Sequence, residues 1–243
     1  MITLIGTGHV FNLSAAILAI FDEKQPEIIG VELDPQRYQA ILLRNTNPSS
    51  YHAAKRSLPL VYRMLAQFQE SMAEQYGVSA GDEMLSAINY AQSHQLPIAF
   101  IDTNAQQLFN TMWKTMPFTE KFRLLFSGVA GLFVSKKRVE QELKNYQQDF
   151  DSYLQEIGKK FPTIKKTLID ERNTQMTQRL LELHEKHQRI IACVGDGHIP
   201  GISTLLEEKQ VPFETIRLQQ LQNWKPPETD ESSGHFSINY TPL

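Results

Sequence analysis

Two histidines in this sequence follow the same short turn, once near each end. Residues 2–5 run apolar into Gly6-Thr7-Gly8-His9-Val10, and residues 190–194 run apolar into Gly195-Asp196-Gly197-His198-Ile199. Each histidine is followed at plus five by a serine, Ser14 and Ser203. Both copies continue through helix-like sequence to a Lys-Gln pair and a proline (Lys24-Gln25-Pro26; Lys209-Gln210-Val211-Pro212), then to a second apolar run. Each copy therefore reads as strand, Gly-x-Gly-His turn, helix, strand. Imidazoles carried by two equivalent turns imply one shared polar site.

In an open α/β sheet, ligands collect beyond the carboxyl ends of the strands. The polar residues expected there are His9 after the first strand, Glu32 at the end of the second, Asp102 at the end of the third and His198 after the fourth. Neutral imidazole and carboxylate suit zinc, manganese or cobalt. His9, His198 and Glu32 would hold such an ion and leave positions open for hydrolytic chemistry. Gly6, Gly8, Gly195 and Gly197 are expected to allow positive φ and to bring the backbone close to a bound group, with Asp102 beside them. Phosphate cradling is the rival use of such turns. Neither turn has the G-x-G-x-x-G spacing or a Walker lysine, and the chain has no H-E-x-x-H.

Secondary candidates surround these. Arg37 falls one turn after Glu32 and could pair with it or hold an anionic substrate group. Glu83 sits in the first turn of its helix, where a carboxylate also favours the helix dipole. Asp34 and Pro35 read as helix cap and first helical residue. Ser14 and Ser203 read as caps rather than nucleophiles. Along the last long helix Ile169, Met176, Leu180 and Leu183 mark an apolar stripe, so Arg172 and Asn173 face inward and Glu171 lies on the flank. An inward arginine must find an anion. No G-x-S-x-G elbow exists, and Cys193 lies within a strand, which disfavours acyl-enzyme chemistry.

The elements that must position these groups follow from hydrophobic pattern. Residues 2–5, 28–33, 98–101, 190–194 and 213–218 are short apolar runs bounded by turn residues, as buried parallel strands are. Helical patterns cover 53–76, 82–94, 106–114, 119–132, 136–157 and 164–187, with Ser79 placed to cap the second of them. The expected fold is α/β, a layered and mostly parallel sheet of about five strands, with a large helical insertion (about 105–187) between strands three and four. Residues 1–222 form one domain in this reading, and 223–243, rich in Pro, acid and Ser, an extended or mobile tail.

The 243-residue chain is 41% hydrophobic and 21% charged, with a formal net charge of -3. That is an ordinary soluble composition with no electrostatic invitation to nucleic acid. Its single cysteine excludes an internal disulfide. Met1 opens directly onto a strand without a basic leader, and the most apolar stretch, 124–134, falls short of the roughly 20 residues that span a bilayer. The expectation is a cytoplasmic protein without a transmembrane segment, with the helical excursion available for a homodimer.

At this level the chain resembles the TraB/PrgY/GumN superfamily, which takes in the Tiki proteins. The resemblance rests on GTGHV at Gly6–Val10, GVELD before Arg37-Tyr38, GDEM at Gly81–Met84, FID at Phe100–Asp102, ERN before Met176, and GDGHIPGI at Gly195–Ile202. It implies a fold similar to the erythromycin-esterase and ChaN-like proteins. From the Tiki members it implies metal-dependent peptide hydrolysis, with His9, Glu32 and His198 as the core and Glu83, Arg37, Glu171 and Arg172 around it. From PrgY it implies action against a peptide pheromone signal. This chain has Thr103 where many relatives carry arginine, and Asn173 where they carry an acid.

Three readings follow. The first is a divalent-metal-dependent hydrolase acting on peptides, with Glu83 as general base and Arg172 and Arg37 orienting an acidic group. The second is a regulatory protein of the PrgY type that binds a peptide or small ligand without turnover. The third, haem handling, rests on ChaN-like fold analogy alone.

Overall fold

The computed structural model describes residues 1–8, 13–46, 82–131, 156 and 158–224. The expected helices at 53–76 and 136–157, the Ser79 cap, His9, and the tail beyond Trp224 lie outside these residues, except for Glu156.

The sheet has five strands, all parallel: β1 (Ile2–Thr7), β2 (Ile28–Val31), β3 (Ile98–Phe100), β4 (Ile190–Gly195) and β5 (Phe213–Ile216), in the order β3-β2-β4-β1-β5. The helices are α1 (Ser14–Lys24), α2 (Pro35–Thr46), α3 (Asp82–Ser93), α4 (Ala105–Thr115), α5 (Phe118–Gly131), α6 (Pro162–Lys165), α7 (Glu171–His184), α8 (Ile199–Glu208) and α9 (Leu218–Gln222). Among the described residues between α4 and α7 there is no strand.

The sequence repeat explains the topology. β1 and β4 lie side by side at the centre, paired from Ile2↔Ile190 to Thr7↔Gly195, so the two Gly-x-Gly-His turns leave adjacent strands at the same level. From there β1 crosses over β4 to reach β2, and β4 crosses over β1 to reach β5. The two crossovers run in opposite directions, so right-handed connections place α1 and α8 on opposite faces. Packing agrees. Ile5, Ile29, Val31, Ile191 and Cys193 meet α1 and α3, whereas Ile2, Leu4, Ile28, Ala192 and Val194 meet α7 and α8.

The helices that precede β2, β3 and β5 end alike. Gln25, Gln95 and Gln210 adopt left-handed φ of 47°, 56° and 56°, and a proline follows within two residues of each. The Lys-Gln-Pro signature is thus a helix stop, and His94-Gln95-Leu96-Pro97 is a third instance. Asp34 caps α2 as expected, its Oδ1 accepting from Gln36 N (2.8 Å) and Arg37 N (3.2 Å).

Other expectations need correcting. Residue Ser14 does not cap α1; the cap position is Leu13, and the Ser14 hydroxyl instead bonds Ser86 of α3 at 2.8 Å. Ser203 lies inside α8, its buried Oγ without a hydrogen-bond partner among the described residues. The helix expected over 164–187 is broken by a π-helical turn at Lys166–Asp170, immediately before α7. Side-chain periodicity does not reveal such an inserted turn, which is frequent at functional sites.

Candidate functional site

Glu32 and His198 meet at the carboxyl edge of the sheet. Glu32 follows β2 on the face shared with Ile28, and its own N–H continues the ladder to Cys193 O at 3.0 Å. His198 closes a 3₁₀ turn, Asp196–His198, between β4 and α8. Both side chains are buried, with His198 Nε2 3.4 Å from Glu32 Oε1. Glu32 Oε2 accepts from the Gly195 N–H. Gly195 has φ -56°, so the expectation of positive φ fails there. Its need for glycine is proximity, since a Cβ would stand 3.3 Å from Glu32 Oε2.

α7 supplies the rest. Arg172, its side chain 13% exposed, finds its anions: Nη2 donates to Glu32 Oε1, while Nε and Nη2 grip Asp102 at 2.9 and 2.8 Å. Nη1 reaches back to Leu168 O in the π-helical turn at 3.2 Å. Asp102 also accepts from Thr103 N at 2.7 Å and from Arg37 Nη1 at 3.3 Å. Arg37 therefore pairs with Asp102 rather than with Glu32. Arg179 anchors α7 to the end of β3 through Phe100 O and Asp102 O.

Electrostatics follow from this packing. Burial by itself would raise the Glu32 carboxyl, but the Arg172 guanidinium and His198, with the Gly195 amide, hold it well below the usual carboxylate range. Glu32 is thus ionised. A depressed carboxyl contributes stability above its unfolded pKa of about 4.3, and that contribution is lost as pH falls through the folded value. Unfolding free energy measured by urea titration should therefore fall on acidification below about pH 4. In Glu32→Gln the slope in that window should be shallower.

Asn173 was legible as inward-facing but not as a partner of His198. Its Oδ1 lies 2.7 Å from His198 Nδ1. With the Asn173 carbonyl as acceptor, Nδ1 is the donor of that bond, and Nε2 faces Glu32 Oε1. Two acceptors 3.4 Å apart require a proton or a cation between them. Two donors each about 2.1 Å from one tetrahedral ion stand about 3.4 Å apart, so the spacing of His198 and Glu32 admits a shared cation as well as a shared proton. Among the described residues no group of three His, Cys, Asp or Glu could hold a metal, and His9, the third ligand expected, is not among them.

A clasp outside the expected set fixes the His198 turn. Arg217 forks onto Asp196, Nε to Oδ1 at 2.8 Å and Nη2 to Oδ2 at 2.7 Å, and Leu218 N adds a bond of 2.9 Å. Gly6 makes room for this carboxylate, because a Cβ there would lie 2.2 Å from Asp196 Oδ1. Likewise a Cβ on Gly201 would lie 2.1 Å from Asn173 Nδ2. Gly6→Ala and Gly201→Ala should each cost about 1–3 kcal/mol in thermal or urea unfolding. Asp196→Ala should reduce the cost of Gly6→Ala in a double-mutant cycle.

The remaining candidates make none of the side-chain bonds among Glu32, Asp102, Arg172 and His198. Glu83, in the first turn of α3, is buried on the opposite face, where its charge adds to burial in pushing up the Cys193 thiol. Glu171 is 43% exposed, with its carboxylate 4.0 Å from Lys166 Nζ. Gly8 and Gly197 sit in the two turns. Among the described residues no helix is long and apolar enough to cross a membrane.

Comparison with known proteins agrees with the motif reading. Residues 1–212 match the TraB/PrgY/gumN family. An uncharacterised protein of Methanocaldococcus jannaschii is 33% identical over 219 residues, 85% of this chain and 53% of the relative. The chain thus spans about half the length of that relative. A structure of Campylobacter jejuni ChaN with cofacial haem binding covers 89% of this chain and 79% of its own at a TM-score of 0.42 and 11% identity.

Proposed function

Since the chain belongs to the TraB/PrgY/gumN family, we propose that its sheet-edge site is that of a divalent-metal-dependent hydrolase acting on peptides. The observation that supports this reading is the buried His198–Glu32 pair at the sheet edge, imidazole and carboxylate 3.4 Å apart. His198 and Glu32 would hold zinc, manganese or cobalt, with His9 as third ligand. Bound there, the ion would supply Lewis-acid activation of a carbonyl and of water.

The protein groups have separable roles. Arg172 keeps Glu32 ionised and so available as a ligand. Asn173 fixes the His198 tautomer and ring plane, as outer partners of metal-bound histidines do. The Asp196–Arg217 clasp holds the turn that carries the ring. Arg37 and Arg172 face Asp102 and would orient an acidic group of the substrate. Glu83, buried on the other face of the sheet, and Glu171, half-exposed beside Lys166, are given no step in this scheme.

A non-catalytic reading, capture of a peptide or small ligand, is favoured by one feature. Arg172 and Arg37 together already balance Glu32 and Asp102, so the polar cluster is electrostatically complete without an ion. Purified protein incubated with a peptide library distinguishes the two. Hydrolysis that stops with chelator and returns with zinc, manganese or cobalt is the expected result. Peptide binding that persists in chelator, with no cleavage in any arm, would replace the enzyme with the binder.

A further inference from the structure

Arg37 stands out within this cluster because most of its hydrogen-bonding capacity is idle. A guanidinium has five N–H donors in a planar fork. Among the described residues Arg37 uses one, Nη1, on Asp102 Oδ2 at 3.3 Å, the longest bond Asp102 receives. Arg172 already holds both Asp102 oxygens at 2.9 and 2.8 Å, and Thr103 N takes a further lone pair. Arg37 is therefore the weakest and most replaceable partner of a saturated carboxylate. Its side chain is 36% exposed whereas Asp102 is buried, so solvent and a ligand can reach the side chain.

We propose that Arg37 is a recognition site for a substrate carboxylate, either the C-terminus of a peptide or an acidic side chain near the bond that reacts. Three hydrogen-bond steps link its fork to Glu32 through Asp102 and Arg172, so the two ends lie no more than roughly 9 Å apart. An extended peptide covers about 3.3–3.6 Å per residue, which places the recognised carboxylate within about three residues of the reacting centre. The fork matches a planar carboxylate with two parallel N–H···O bonds. A monoanion is favoured over a phosphate dianion because the two positive charges of Arg37 and Arg172 are already balanced by Asp102 and Glu32.

This inference takes the position of the reacting bond from the hydrolase reading, but its test needs no turnover. Three N-acetylated tripeptide series would be titrated into the full chain by ligand-observed NMR: free acids, C-terminal amides, and amides containing glutamate. Free acids should bind about tenfold or more tightly than plain amides. Arg37→Gln should remove that preference and Arg37→Lys retain part of it. Recovery of affinity in the glutamate amides assigns the site to a side chain; failure to recover assigns it to the C-terminus. Equal binding of acids and amides, a preference that survives Arg37→Gln, tighter competition by inorganic phosphate, or no binding up to about 10 mM would overturn the proposal. Intact acid preference without cleavage would leave the Arg37 site standing and remove the hydrolase.

Discussion

Arg172→Met is expected to lower the stability of this protein by about 3–5 kcal/mol, the largest effect of any single substitution in the cluster. The cost comes from what is left behind. Glu32 and Asp102 are buried carboxylates, and Arg172 is the cation that both share. Removing it strands two charges in a poorly solvated site, and one must then bind a proton. For a chain of this size the loss corresponds to a melting-temperature drop of between about 6 and 20 °C. Adding Glu32→Gln and Asp102→Asn to Arg172→Met should return part of it, because the stranded charges go with the side chains. A change below about 2 °C in the single variant would mean that Arg172 is not the counter-ion of the cluster.

The second large effect concerns the imidazole. Asn173→Ala should weaken metal binding and peptide hydrolysis by about 10–100-fold, the usual consequence of losing the outer partner of a ligating histidine. His198→Ala should cost more, since it deletes the ligand itself. In chelator both variants should lose no more than a buried hydrogen bond costs, about 1–3 kcal/mol, if their role is to hold the ion. Kinetics over a metal titration separate the cases. A fall in apparent metal affinity that excess zinc rescues in Asn173→Ala but not in His198→Ala is the expected pattern. Unchanged hydrolysis in His198→Ala would remove the histidine from the chemistry.

Much of this arrangement is written in local sequence. All five strands and their parallel order of appearance follow from short apolar runs bounded by turns, and the duplicated turn identified the edge where polar groups gather. The inward orientation of Arg172 and Asn173 follows from the stripe of Met176 and Leu180. What each one touches does not. Pairing of Arg37 with Asp102, and of Asn173 with His198, depends on how α2 and α7 are rotated against the sheet, and a π-helical turn shifts α7 within its own helical run. Glycine roles were legible as positions but not as causes. Gly6 and Gly201 are set by neighbours in space, Asp196 and Asn173, rather than by backbone angle. Arg217 lies 21 residues from Asp196, in a segment with no motif of its own, so nothing local marks it as the clasp on that turn.

Metal content of the purified chain tests the cation between His198 and Glu32 most directly. After dialysis against zinc, manganese or cobalt, elemental analysis should find one ion per wild-type chain. It should find none in the His9→Ala/His198→Ala double variant and a reduced amount in Glu32→Gln. Equal metal in wild type and the double variant, or none in either, would contradict a metal centre at this edge of the sheet.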